Sequence, residues 1–223
     1  MKHIYLLPED EDIQRVIVTQ VNGFMEQEDI EFWSLDEADI KADVLSRTLP
    51  EDDYFVFCPL YTFLLSSPNL GGLNDVVQQM RKHELDYVRL RRVGVGSSKR
   101  LKGSQVLHVE NGNSLYLVPH IFSTKAFAEM IENSRKRSRL YWESISLAGL
   151  KGASFHHTGS QPHNSLSYWH CDLYDTVSDI VTPHGYWNKS YLEYNNQPLK
   201  RALEGLGIDP RHRGVGSIGG CCR

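Results

Sequence analysis

The sequence predicts an α/β protein whose mostly parallel sheet is flanked by helices and followed by an irregular C-terminal region. Through residues 1–90, short apolar runs alternate with stretches in which apolar residues recur at helical spacing. This alternation is typical of a parallel sheet covered by crossover helices. The run Tyr54–Cys58 carries no charge, as expected for a strand that is buried on both faces. These observations define the fold class.

The elements of the first half follow in order. Four short apolar runs are predicted to be strands: Ile4–Leu7, Ile30–Trp33, Tyr54–Cys58 and Tyr87–Leu90. Apolar spacing predicts a helix over residues 10–26, and its acidic first turn suits the positive end of the helix dipole. A second helix around Val44 ends near Pro50, and a third contains Leu73 and Met80.

The second half is less regular. The runs Gln105–Val109 and Ser114–Val118 flank an Asn-Gly pair and predict a hairpin. A helix containing Phe127 is expected next, capped by Ser123 or Thr124.

The chain is predicted to form one domain. A last short helix is expected at Pro198–Gly205. Residues 1–205 therefore form the predicted domain, with halves at 1–100 and 101–205, and residues 206–223 form a flexible, Gly-rich tail.

Composition excludes several classes of protein. The 223 residues include 24 Lys and Arg against 28 Asp and Glu, a net charge of −4. A dedicated nucleic-acid binder usually carries a strongly basic face, so no nucleic-acid partner is expected. No apolar stretch is long enough to span a bilayer and no signal peptide follows Met1. We therefore expect a cytoplasmic protein without a transmembrane segment.

The most suggestive short string is Trp142-Glu143. An aromatic ring packs on the apolar face of a sugar, and a carboxylate accepts a hydroxyl proton, so the pair suits a carbohydrate site. The alternative is the start of an ordinary amphipathic helix, with Trp142 in the core.

A basic stretch follows the fourth predicted strand. The period of two places Arg89 and Arg91 on one face. The glycine-containing loop after them leads to Lys99 and is suited to binding a phosphate. The alternative is a solvated basic hairpin.

Residues 155–190 combine histidines with aromatic residues and acids. Such side chains suit a cleft that binds sugar hydroxyls. Imidazole and carboxylate also ligate zinc or manganese, so a metal-dependent hydrolase is an alternative. A third interpretation is that the aromatic rings anchor a long irregular segment.

Several of these segments resemble microbial (bacterial or viral) GT-A-type glycosyltransferases. Asp86–Leu90 resembles a "DYLRL"-like strand of that family, Trp142-Glu143 a "W-E" string, and Gly185–Trp187 a Gly-x-Trp turn. The similarity covers roughly residues 50–195, through order and spacing. It implies a GT-A-like, that is Rossmann-like, fold and a hexosyltransferase-type enzyme of polysaccharide biosynthesis. The donor would be a nucleotide sugar, and the acceptor a glycan or a lipid-linked or protein hydroxyl.

The resemblance also implies roles for the two halves. Residues 1–100 would bind the nucleotide sugar, through Leu7, Pro8, Trp33, Tyr61, Arg89, Arg91 and Lys99. Residues 101–205 would bind the acceptor, through Trp142, His157, His163, Trp169, Asp172 and Trp187. Glu143 would be the general base of an inverting enzyme.

One departure from the family concerns the metal. The family's third strand ends in an acidic motif that holds Mn²⁺ or Mg²⁺, whereas this chain has Cys58-Pro59 there. The nearest acidic pair, Asp52-Asp53, precedes the strand and is a weak metal candidate, its alternative being a turn. We therefore expect a metal-independent enzyme, an enzyme that uses Mn²⁺ or Mg²⁺, or an inactive relative that binds carbohydrate or nucleotide.

Overall fold

A computed structural model describes residues 1–34, 43–44, 46–90, 99–109, 115, 118–133, 147–155, 173–177, 187–188, 197–209 and 215–216. The helices are α1 (Glu11–Phe24), α2 (Leu70–His83), α3 (Thr124–Asn133) and α4 (Gln197–Gly205). The strands are β1 (His3–Leu7), β2 (Ile30–Ser34), β3 (Tyr54–Cys58), β4 (Phe63–Leu64), β5 (Tyr87–Arg89), β6 (Leu107–Val109), β7 (His120–Ser123), β8 (Gly152–Phe155), β9 (Thr176–Val177), β10 (Trp187–Asn188) and β11 (Val215–Gly216).

Seven of these strands form the main sheet, in the order β2-β1-β3-β7-β5-β8-β6. Parallel pairs join β1 to β2, β1 to β3 and β5 to β8. Strand β7 runs antiparallel to both β3 and β5, and β6 runs antiparallel to β8. Five strands therefore share one direction and two are reversed. The predicted α/β class is confirmed, but the sheet is mixed and not mostly parallel, since three of its six strand pairings are antiparallel.

Local sequence explains where the helices begin and end. The Asp10 side chain accepts a hydrogen bond from the backbone N–H of Ile13 at 3.1 Å and so caps α1. Asn69 caps α2 in the same way, through Gly72. The Ser123 hydroxyl accepts from the Ala126 N–H at 3.2 Å, which confirms the predicted cap of α3.

Helices cover both faces of the sheet. On the first face, Tyr5 and Val56 pack with the apolar stripes of α1 and α2 and with Leu203 of α4. On the second face, Leu6 and Phe57 pack with α3 and with Val44. Alternate residues of β1 and β3 serve the two layers, as the pleat requires. This double coverage explains why Tyr54–Cys58 carries no charge.

The predicted hairpin is wrong. Residues 107–109 pair with β8 on one side, and on the other side Val109 donates a backbone hydrogen bond to Lys99 O at 2.8 Å. Strands β7 and β8 also escaped prediction. Both are short and almost wholly buried, and their partners lie far away in the sequence, so no local pattern of apolar residues marks them.

The structure describes residues 206–209 and 215–216 of the predicted tail. Leu206 and Ile208 donate backbone hydrogen bonds to Ala202 O and Leu203 O, which close the end of α4. Strand β11 then pairs with β10. The remaining residues of that predicted tail lie outside the described part of the chain. Among the described residues, no helix has the length and apolar character needed to cross a membrane.

Candidate functional site

The chain reverses its direction of winding between β1 and β3. After β1 it continues through α1 on the first face to β2, and it then returns past Val44, on the second face, to β3 on the other side of β1. In open α/β sheets a ligand binds outside the carboxyl ends of the strands at such a switch point. At this edge lie Leu7, the last residue of β1, with Pro8 after it, and Pro59–Tyr61 after β3.

A strained turn follows β3 at this edge. Tyr61 has a φ of 62°, in the left-handed region that bulky side chains seldom adopt. The buried Thr62 hydroxyl donates to Pro59 O at 2.6 Å and closes the turn. Such a conformation costs ~1–3 kcal/mol and is found most often at functional sites. The half-buried Tyr61 ring is thereby held beside the switch point.

The structure brings the predicted donor residues Leu7, Pro8, Trp33 and Tyr61 to one edge of the sheet, since Leu6 pairs with Trp33 and Tyr5 with Cys58. Their side chains differ in exposure. Leu7 and Pro8 are buried. Trp33 is also buried, and its indole N–H donates to Glu31 Oε2 at 3.2 Å. Trp33 is therefore a core residue and not an open ring on which a base stacks.

The two described cations of the predicted donor site lie apart. Arg89 is 1% exposed at the carboxyl end of β5, three strand spacings or ~14 Å from β1. Lys99 is exposed and pairs beyond β6, the far edge of the sheet, six spacings or ~29 Å from β1. The structure does not bring Lys99 to the switch point, which corrects the prediction that it shares a phosphate there.

The candidate metal pair also lies elsewhere. Asp52 and Asp53 precede β3 and so lie at the opposite edge of the sheet from the switch point. Asp52 accepts a hydrogen bond from the Lys2 backbone N–H, and Asp53 Oδ2 lies 3.4 Å from Arg81 Nη2. Among the described residues, no group of three or more His, Cys, Asp or Glu side chains could hold a metal ion. These two residues therefore do not fit the Mn²⁺ or Mg²⁺ of the family.

A buried polar cluster lies on the first face of the sheet, around the hydroxyl of Tyr174. Its oxygen is 2.5 Å from the Tyr5 hydroxyl, 3.0 Å from His3 Nδ1 and 3.6 Å from the donating Cys58 thiol. Met25 Sδ lies 3.9 Å from both hydroxyls. These contacts attach residues 173–177 to β1 and β3.

Burial keeps this cluster uncharged. It lowers the pKa of His3 to about 3, with a smaller contribution from the charged N-terminus. It raises the pKa of Cys58 to about 12 and the pKa of both Tyr5 and Tyr174 well above the usual tyrosine range. A cluster that stays neutral at neutral pH serves as an anchor and not as an acid–base site.

The cluster was not recognised in the sequence. His3 and Tyr5 are two residues apart in β1, so both side chains lie on the same face of the strand. That was the one available signal, because Tyr174 lies 169 residues beyond Tyr5.

Most predicted catalytic and acceptor residues lie outside the described part of the chain. They are Trp142, Glu143, His157, His163, Trp169 and Asp172. The predicted donor residue Arg91 also lies outside it. The backbone of Trp187 belongs to β10 and pairs with Val215, and its side chain lies outside the part of the chain that the structure describes.

Comparison with known proteins shows no family for this chain. No known protein family matches the sequence, and no curated protein matches it. The solved structure titled "Crystal Structure of A197 from STIV" superposes with a TM-score of 0.38 at 12% identity, covering 80% of this chain and 94% of that one. The mixed sheet with helices on both faces is consistent with a Rossmann-like fold.

Proposed function

We propose that this chain is a glycosyltransferase of GT-A type that transfers a sugar from a nucleotide sugar to an acceptor hydroxyl. The observation that supports the proposal is the switch point between β1 and β3, whose edge carries Leu7, Pro8 and Tyr61. This is where open α/β sheets bind nucleotides. The acceptor would be a glycan or a lipid-linked or protein hydroxyl, and the reaction would take place in the cytoplasm.

The proposed reaction inverts the configuration at the anomeric carbon of the transferred sugar. The acceptor oxygen forms a bond to that carbon while the bond from the carbon to the diphosphate oxygen breaks. The acceptor proton passes to the carboxylate of Glu143, and the nucleoside diphosphate leaves with the bonding electron pair. No step is assigned to a metal, because Asp52 and Asp53 do not fit one.

Donor binding tests the nucleotide half of the proposal. Thermal unfolding would be followed with UDP-glucose, GDP-mannose and dTDP-rhamnose, each with and without Mn²⁺, because a ligand of the native state raises the unfolding temperature. We expect one of the donors to raise it. Tyr61→Gly should abolish that rise, since glycine keeps the left-handed backbone and loses the ring.

A matched control is Glu84→Gly. Glu84 is the other described non-glycine residue with positive φ, 51°, and it ends α2 far from the switch point. This variant should bind the donor as the parent does. Absence of any donor-dependent rise, or a rise that survives in Tyr61→Gly, would contradict the proposed site.

Turnover separates the enzyme from its alternative, an inactive relative that binds carbohydrate or nucleotide. The sequence Cys58-Pro59, in place of the family's acids, favours that alternative. Glu143→Gln should abolish sugar transfer and donor hydrolysis while donor binding stays intact. Donor binding without turnover in the parent protein would favour the inactive relative, and full activity in Glu143→Gln would exclude Glu143 as the base.

A further inference from the structure

Three buried polar residues lie side by side on the central strands of the sheet. His120 of β7 pairs with Arg89 of β5, which pairs in turn with Ser154 of β8. All three are at most 1% exposed. Directly paired residues point to the same face, with Cβ atoms ~5 Å apart in an antiparallel pair. We call these residues the central polar row.

The row lies toward the same edge of the sheet as the switch point. Arg89 is the last residue of β5, and Ser154 is the last but one of β8. His120 is the first residue of β7. Because β7 runs opposite to β5, its first residue lies at the edge where the parallel strands have their carboxyl ends. Within the row, His120 pairs with Phe57 of β3, and Arg89 is two strand spacings, ~10 Å, from β3. The row therefore lies next to the switch point on that edge, on the side away from β1.

The hydrogen bond of His120 fixes which ring nitrogen carries its proton. Nδ1 lies 2.6 Å from Val118 O, and because a carbonyl only accepts, Nδ1 is the donor. Burial and the charge of Arg89 lower the pKa of His120 well below the usual value, so the ring is neutral. Nε2 therefore presents a lone pair, and among the described residues it has no hydrogen-bond partner.

Ser154 offers a second unused group. Its hydroxyl is buried and has no hydrogen-bond partner within the described ranges. Leaving a buried polar atom without a partner is costly, so two such atoms on residues that pair with one arginine point to a ligand. The ring of Phe122 stacks on His120 at 5.5 Å and adds an apolar wall.

We propose that Arg89, His120 and Ser154 bind a sugar derivative that carries both an oxyanion and a free hydroxyl. Arg89 supplies positive charge and N–H donors to the oxyanion. His120 Nε2 accepts the ligand hydroxyl, and the Ser154 hydroxyl donates to the oxyanion. A sugar phosphate and a sugar acid share this chemistry. The site does not depend on the chain being a transferase.

Four small probes separate the parts of this proposal. Binding would be measured by calorimetry with glucose 1-phosphate, glucuronate, glucose and inorganic phosphate. We expect glucose 1-phosphate or glucuronate to bind, the better of the two identifying the oxyanion as phosphate or carboxylate. Glucose and inorganic phosphate should each bind at least tenfold more weakly, because glucose lacks the oxyanion and inorganic phosphate lacks the sugar hydroxyls.

Ser154→Ala is the decisive variant. It should weaken binding of the better probe about tenfold or more without lowering the unfolding temperature of the free protein, since it removes a hydroxyl with no hydrogen-bond partner in the described part of the chain. The matched control is Ser104→Ala. The buried Ser104 hydroxyl accepts from the N–H groups of Val106 and Leu107 at 3.3 and 3.0 Å. This control should unfold at lower temperature and bind as before.

His120→Phe is a second variant, which keeps an aromatic ring among Tyr87 and Phe122 and removes the Nε2 acceptor. It should also weaken binding about tenfold or more. The proposal is overturned if neither sugar derivative binds, or if binding is unchanged in both Ser154→Ala and His120→Phe. Because the nucleotide-sugar site is tested through Tyr61, either proposal can fail while the other holds.

Discussion

The hydroxyl oxygens of Tyr5 and Tyr174 lie 2.5 Å apart although 169 residues separate them in the chain. The contact joins the first strand of the sheet to a segment of the irregular second half. That segment has further attachments, since Leu173 O accepts from the Asn69 N–H and Asp175 O from the Leu65 N–H. Tyr174 is therefore the side-chain anchor of residues 173–177.

Tyr174→Phe should destabilise the protein by ~1–3 kcal/mol, because His3 Nδ1 and the Tyr5 hydroxyl lose a buried partner. Urea denaturation would measure the loss, and amide exchange of residues 173–177 should accelerate. The control variant is Tyr54→Phe, which removes the hydroxyl from a half-buried ring that contacts Arg81. Equal stability of parent and Tyr174→Phe would contradict the anchor.

Stability should fall as the pH is lowered from 6.5 toward 3. The folded-state pKa of His3 is about 3, against about 6.5 when unfolded. Between these values only the unfolded chain binds the proton, so acid favours unfolding, by up to roughly 5 kcal/mol for His3. His120, also with a lowered pKa, acts in the same direction. Well above pH 6.5 both histidines are neutral in either state and the effect is gone.

The pH effect would be measured by urea denaturation at pH 7 and pH 5. His3→Gln should show a smaller difference between the two pH values than the parent. The control is His108→Gln, at the half-buried edge strand β6. If the urea concentration at the unfolding midpoint of the parent protein is the same at pH 7 and pH 5, neither buried histidine resists protonation.

Two glycine-to-alanine changes should have opposite signs. A Cβ at Gly152 would overlap the ring of Tyr87 in the neighbouring strand, so Gly152→Ala should cost ~3 kcal/mol or more. Gly23, in α1, has no atom within 4 Å of its added Cβ. Gly23→Ala should therefore stabilise by ~0.5–1 kcal/mol. Thermal unfolding of both variants checks the packing of β5 against β8.

The Cys58 thiol should resist alkylation in the native protein. It is fully buried, and burial raises its pKa to about 12, so the reactive thiolate is scarce at pH 8. Iodoacetamide labelling followed by peptide mass spectrometry should leave Cys58 unmodified until urea unfolds the chain. Rapid labelling of native Cys58 would show that the first face of the sheet opens locally.

The sequence by itself determined the regular part of the fold. Local periodicity and capping predict strands β1, β2, β3 and β5 and helices α1, α2 and α3. This is possible because the apolar residues that each element buries recur at a regular spacing within one short stretch of sequence. It also marked Leu7, Pro8 and Tyr61 at what became one edge of the sheet. These residues end or follow strands, and parallel strands end at the same edge of a sheet.

Only the tertiary structure decided the rest. Strand β7 is inserted, reversed, between β3 and β5, and β8 pairs beyond β5. These placements bring together His120, Arg89 and Ser154, and similarly His3 and Tyr174. None of these groupings follows from spacing along the chain, because pairing in a sheet is settled by burial of distant strands against one another. The sequence named the candidate cations, and the strand order separated Lys99 from Arg89.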